Sequence, residues 1–530
     1  MNKIYFSSFT GTDDRIRFIA AMEYMKEHPG TTLVVEPGVY NITSERAKWA
    51  QESVMSGAFG NNPEPIMLNP KYVYDRCLDF AGHRGSRVEA YGAKLLIDGF
   101  MEPISIRDCA DVEVCGFTVD HVRKPYSKGI IMDIQGEGNN GEVLLEFAEK
   151  ITPNMACPHA IPYSQRLGRY VVKCDIFAPR YVDEHHAWMK CHKITALELG
   201  DEVYLRHTCH SRPVVLIYNA QNTVVRDITI HSAPGMGITA QQSRDILVER
   251  LRVIPTVGER MSINTDAAHF ASCRGKLRID GCQFEGQGDD CINVHGYYYT
   301  IDRHDGAKAH LSIRHPHGGP GTHTQALNHP LVGDTLELTD KKTLNPVEQF
   351  RVISVTPDYE EYCCSIEFDH PLPDNVDGMV FAAPDECPEL ELVNCHARNH
   401  FAYFVRIRAR RALVENCAAE DAFESGVLLA SEIFWHEGPP SVDVTVRRCR
   451  FINCARWTGY CGGIQVSVEC DDKRALPHQH VVIEDNIVEC READYAIVVQ
   501  NVRQAKLHDN QTLSRKEGIV VGEGVELVEI

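Results

Sequence analysis

Nine segments of the chain repeat one short pattern: apolar, any, apolar, any, any, then an apolar residue, Cys or Asn, then any, apolar. They begin at Val112, Thr223, Ile246, Leu277, Leu390, Ala412, Val444, Val481 and Ala505. Short steps separate some neighbours: 23 residues from Thr223 to Ile246, 22 from Leu390 to Ala412, 24 from Val481 to Ala505. In each copy the apolar residues alternate with period two, break once and resume. That is a strand, a corner and a second strand, not a helix. A β repeat of this period predicts an all-β chain, a right-handed parallel β-helix whose coils stack about 4.8 Å apart. The length of 530 residues suits a fold that grows along one axis.

Stacking turns like positions into columns. The sixth position reads Phe117, Ile228, Leu251, Cys282, Cys395, Cys417, Cys449, Asn486 and Asn510. Cys is a small hydrophobe that fits an interior column, and Asn suits a corner. This accounts for several of the 20 cysteines without a disulfide framework, and no CxxC pair supports a zinc site. Near the start, Asp13 or Asp14 can cap a helix through Glu27, with Ile16, Ile19, Ala20 and Met22 as its apolar face. A helix there would cover the open first coil.

Two steps are far longer: 111 residues from Val112 to Thr223 and 113 from Leu277 to Leu390. Each holds an insertion of short alternating strands and turns, read as a small antiparallel β-barrel. The expected divisions are 1–121 (cap and first coils), 122–212 (barrel), 213–296 (central coils), 297–388 (second barrel) and 389–530 (last coils). Lys+Arg is 54 against 74 Asp+Glu, a balance of −20, which offers no footprint for nucleic acid or an anionic membrane. No apolar run approaches about 18 residues, so no membrane span is expected. MNKIYFSSFTGTDD has no apolar signal region, so a cytoplasmic location is expected, with a processed exported form left open.

The coil period then singles out three carboxyls. Asp266 lies 23 residues before Asp289 and 24 before Asp290, about one coil. That spacing sets it beside the pair on one outer face. Glycoside hydrolysis needs one protonated acid and one base or nucleophile, and like charges at close range raise one pKa. An inverting enzyme separates the two carboxyls by about 6.5–9.5 Å. Calcium is the rival use of three carboxyls, with a lyase as the reaction; Arg274 and Lys276 are then the nearby cations. The plain alternative is solvent-facing Asp at corners.

The NTD and GDD strings around these residues resemble the polygalacturonase clan, glycoside hydrolase family 28. The fuller string NTDAAHFASCRGKLRIDGCQFEGQGDDCINVHG resembles family 110, the α-1,3-galactosidases. So do GAKLLIDGFMEPISIRDCADVEVCGFTVDHVRKP from Gly92 and EIFWHEGPPSVDVTVRRCRFINC from Glu432. The resemblance implies exo-hydrolysis of terminal α-1,3-linked galactose with inversion, no cofactor and no metal. It puts the catalytic carboxylates on Asp266, Asp289 and Asp290, with Asp289 as acid and the other two on the water. Arg406-Ile407-Arg408 imitates the family 28 basic motif, but its neighbours match poorly, which favours a neutral galactoside.

Asn264, His269, Asn293 and His295 flank the carboxyls and are candidate substrate contacts. Trp435 can stack on a sugar face, and Glu437 can accept from hydroxyls. Trp457 reads as structural. The expected partner is a galactose-terminated glycan, linear or branched, and a homodimer is left open. Two readings compete with the leading one: another β-helix carbohydrate enzyme (galacturonide hydrolase or polysaccharide lyase), and a non-catalytic sugar-binding β-helix.

Overall fold

The computed structural model describes residues 2–68, 72–171, 179–313, 327–456 and 461–528; Trp457 lies outside them. The described chain is strand-rich with few helices, and its body is a parallel β-helix. The nine repeat copies stand in one unbroken register. Val112 pairs with Thr223, Thr223 with Ile246, Ile246 with Leu277 and Leu277 with Leu390. Leu390 then pairs with Ala412, Ala412 with Val444, Val444 with Val481 and Val481 with Ala505. Both long steps are therefore bridged directly, and each insertion leaves the stack and returns to the next coil.

The corner of each copy has a local cause. The residue before the interior column is Gly116, Asp227, Arg250, Gly281, Asn394, Asn416, Arg448, Asp485 or Asp509, and all nine have positive φ. Seven of these are Gly, Asn or Asp, the residues that enter the left-handed region most readily. After the corner the chain joins a second, 11-stranded sheet. From Phe117 to Asn486 the column is buried. Its thiols lie along it, and the Cys282 amide donates to Cys395 Sγ at 3.3 Å. Asn486 Oδ1 accepts the Cys449 amide at 2.9 Å, while its Nδ2 donates to Val446 O and to Asn510 Oδ1, both at 2.9 Å. All described cysteines are free thiols.

The N-terminal helix spans Asp14–Glu27, and the Asp13 carboxylate accepts the Ile16 amide. Its buried face is Phe18, Ala21, Met22 and Met25; Met22 was expected there, but Ile16, Ile19 and Ala20 are not buried, and Ile16 is 38% exposed. Phe18 sets the rotation: it stacks on Phe6 at 4.1 Å and meets Phe117, the first column residue, edge-on at 6.3 Å. A second helix, Glu45–Met55, was not legible as a cap.

Among the described residues the first insertion is a seven-stranded antiparallel sheet; residues 172–178, which lie between its two edge strands in the chain, are outside them. Its edge strands, Arg169–Tyr170 and Arg180–Asp183, do not pair with each other. The second insertion pairs in a closed antiparallel cycle. It runs through Ile292–Asp305, Lys308–Ser312, Cys363–Phe368, Pro346–Asp358, Thr335–Asp340 and Met379–Ala382, and back to Ile292–Asp305. Ile292–Asp305 is one strand in both bodies: its first residues pair in the helix, and residues from Tyr298 onward pair in the cycle.

Asn486→Ala should lower stability by about 1–3 kcal/mol, because the Cys449 amide is left buried without its acceptor. Urea denaturation checks this; an unchanged midpoint would mean the Asn ladder adds nothing to coil stacking.

Candidate active site

The site lies on a third stack of parallel strands. Ile238–Gln241, Ala268–Ala271, Ile292–His295 and Val405–Arg408 pair in that order. Alternation sends Ala268, Phe270, Ile292, Val294, Val405 and Ile407 into the core. It turns His269, Asn293 and Arg406 outward in one column, and His295 and Arg408 outward in the next. Asp266 and Asp290 each precede their strand by two residues, and the Ala267 amide donates to the Asp290 carbonyl at 3.0 Å.

Bends at Gly286 and Gly288 let the adjacent Asp289 and Asp290 serve one site. Gly286 has a φ of +74°, and a Cβ on Gly288 would stand 2.4 Å from the Asn264 carbonyl oxygen. Arg206 fastens the two coils there, donating from Nη1 to Asn264 O at 2.6 Å and to Gly288 O at 2.9 Å.

Oxygens of Asp266, Asp289 and Asp290 lie within 4.8 Å of one another. Asp266 and Asp290 are buried and Asp289 half-buried. Burial, then the Asp289 charge, holds the Asp266 carboxyl well above the usual carboxylate range, and His210 and Arg406 offset this only in part. Burial also raises Asp290; Arg406 opposes it, and Asp289 and Asp266 add to it. The three carboxyls are the one group among the described residues whose ligand atoms converge as a metal site would. Asp290 also accepts from protein donors: the Tyr403 amide at 3.1 Å and Arg406 Nη1 at 3.4 Å.

Around the carboxyls runs a polar chain. Asp266 Oδ2 lies 2.7 Å from His269 Nδ1, and His269 Nε2 lies 2.8 Å from His295 Nε2. His295 Nδ1 donates to the Gly296 carbonyl at 3.0 Å, and Glu437 Oε1 stands 3.7 Å from His295 Nε2. Burial lowers both imidazoles, His269 to about 4 and His295 to about 3. Glu437 pairs with Arg408 Nη1 at 2.9 Å, and the same nitrogen donates to Asn293 Oδ1 at 2.9 Å. Glu432 accepts from Arg406 Nη2 at 2.7 Å and also from Arg408. Burial works upward on Glu437, but Arg408, then His295 and Arg406, hold it below the usual range.

The predicted residues thus separate. Asp266, Asp289, Asp290, His269, Asn293, His295 and Glu437 form one network. Asn264 does not join it: fully buried, its amide donates to Pro125 O at 3.1 Å and Thr208 O at 2.6 Å, tying the coil to the first insertion. Trp435 is half-buried and meets Phe434 edge-on at 5.1 Å. Arg406 and Arg408, set aside in the sequence for their neighbours, stand in the network, where spacing of two on a strand gives them one face. Glu432 lay unnoticed in the same EIFWHE string as Glu437. His210, held by Glu64 at 3.0 Å, left no sequence signal, because 146 residues separate the two.

The glycosyl hydrolases family 28 model matches residues 202–308, the span that carries all three Asp residues. α-1,3-Galactosidase A of Bacteroides fragilis is 26% identical over 336 residues, 60% of this chain and 53% of that protein. α-1,3-Galactosidase B of Akkermansia muciniphila is 24% identical over 516 residues, covering 88% of this chain and 60% of its own length. The chain is similar to α-1,3-galactosidases over most of its length. It spans between half and two thirds of those two relatives, and 78% of α-1,3-galactosidase A of Shewanella woodyi, at 22% identity and 88% of this chain. Among solved structures, a Thermotoga maritima exopolygalacturonase aligns over 99% of this chain and 91% of its own, at 11% identity and a TM-score of 0.39.

Asp266→Asn should raise the melting temperature, and the gain should grow with pH. A carboxyl whose folded pKa is raised contributes stability that is complete below the unfolded pKa. That stability is lost as pH rises through the raised value. Melting curves from acid to neutral pH check this; a gain that shrinks with pH would contradict a raised Asp266.

Proposed function

We propose that the chain is an exo-acting glycoside hydrolase that releases terminal α-1,3-linked galactose, with Asp266, Asp289 and Asp290 as its catalytic carboxyls. The convergence of three carboxyls, two of them pushed upward, is the observation that carries this reading. Such a group keeps an acid and a carboxylate side by side near neutral pH. The acid protonates the glycosidic oxygen, the bond to the anomeric carbon breaks toward that oxygen, and a carboxylate deprotonates the attacking water. The names of the relatives supply the linkage.

The charge around the site favours an uncharged sugar. Arg406 and Arg408 are faced by Glu432, Glu437 and Asp290, which offset the positive charge a uronate would need. This counts against the galacturonide reading. His269, Asn293, His295 and Glu437 are the polar floor, and Trp435 is the apolar face on which galactose stacks. The division at 122–212 and 297–388, and the right-handed sense of the coils, belong to the same reading, with the insertions as cleft walls.

Inversion rests on the family resemblance. Retention is the alternative stereochemistry, for which the two carboxyls stand about 5 Å apart. Fresh product observed by NMR decides between them: β-galactose first under inversion, α-galactose first under retention. Asp290→Asn should lower kcat on α-1,3-galactobiose at least about a thousandfold while leaving the melting curve cooperative. Turnover close to wild type would remove Asp290 from the chemistry. A panel of linear and branched α-1,3, α-1,4 and α-1,6 galactosides then tests linkage; equal rates on all would reject α-1,3 selectivity.

A further inference from the structure

A polar hollow lies off the other end of the strands that bear the site. Asp266 precedes the strand Ala268–Ala271, and Arg274 follows it. From Arg274 one column of the ladder runs back through earlier coils. Arg274 pairs with Arg244, Arg244 with Gln221, Gln221 with Ala110 and Ala110 with Arg84. Three coils separate Arg84 from Arg244, about 14 Å at the usual strand spacing. Ala110, between them, ends at its Cβ and leaves the floor open. Leu331, Val332, Gly333 and Asp334 of the second insertion form the opposite wall, and the cavity enclosed is about 630 Å³. Ligand pockets usually measure about 300–1,000 Å³.

The wall is fixed to the coils. Arg274 holds Asp334 through two nitrogens, both at 2.7 Å, and both side chains are almost fully buried. Gln242 Nε2 donates to His329 O at 3.1 Å, and the buried Asn328 donates to Glu386 Oε2 at 3.0 Å. The carboxylates of the hollow are occupied: Asp334 by Arg274, and Asp108 by Asn219 Nδ2 at 2.8 Å. Arg84 and Arg244 are exposed, and neither forms an ion pair or a side-chain hydrogen bond among the described residues. Two guanidiniums thus line one hollow with no carboxylate of their own, in a chain whose balance is −20. Leu331 and Val332, 47% and 66% exposed, add an apolar patch beside them.

We propose that this hollow is a saccharide site separate from the three carboxyls, binding an acidic sugar by its sulfate or carboxylate group between Arg84 and Arg244. A guanidinium meets either anion with a fork of two hydrogen bonds. The sugar ring covers Leu331 and Val332. The choice of a sugar rests on the glycosidase reading, whereas the choice of an anion does not. Ligand-observed NMR titration of the intact chain with galactose 6-sulfate, galacturonate, inorganic sulfate and galactose tests the site, with hydrolysis of α-1,3-galactobiose followed alongside. One of the two acidic sugars should bind more tightly than inorganic sulfate or galactose, and excess galactose should not displace it. Arg84→Ala combined with Arg244→Ala should weaken that binding about tenfold or more and leave turnover unchanged. Undiminished binding in the double variant, or displacement by galactose, would overturn the site. Inorganic sulfate binding as tightly as both acidic sugars would overturn the saccharide. Binding of an acidic sugar by a chain that releases no galactose would sustain the site and reject the glycosidase reading.

Discussion

The backbone ladder between coils is the interaction on which everything else in this molecule depends. It fixes register at each strand, and a slip of one residue would exchange the core and cleft faces. Because Thr223, Ile246, Leu277 and Leu390 stack without slip, Asp266 and Asp290 sit in neighbouring coils at equivalent positions. The same ladder sets His269 beside Asn293 and Arg406, and His295 beside Arg408. Residues scattered from 266 to 408 thereby become a surface with a period of one coil.

That period is why much of the fold was legible. Alternation, a left-handed corner and a column of Cys and Asn are local rules, and each appears in the sequence as a spacing. The carboxyls were legible for the same reason. Asn264 misled because flanking position does not reveal direction; its side chain turns toward Pro125 and Thr208. Arg406 and Arg408 were undervalued because their worth lies in Glu432 and Glu437, which reach them from a loop outside the repeat. His210 and Glu64 meet only through the fold. The helix face was misjudged because contact with Phe6 and Phe117, not composition, sets its rotation.

The site combines two opposed electrostatic designs in one small space. Around Asp290, an amide and a guanidinium stabilise charge; around Asp266, burial and the Asp289 charge favour the protonated carboxyl. Two carboxyls that burial alone would raise together are thereby made different, the condition for acid and base to coexist. The paired Arg and Glu residues add rigidity and leave little net charge for an anionic ligand. The second insertion grows from the strand that bears Asn293 and His295, so its position relative to the carboxyls is set by one continuous backbone.

The most direct test of the whole account is whether this chain, which is shorter than its first two relatives, turns over α-1,3-galactobiose by itself. Proton NMR of the disaccharide mixed with the purified chain should show free galactose accumulating from the outset. Saturation transfer to an intact disaccharide, with no galactose released at any pH from acid to neutral, would make the site a binding surface and contradict the account.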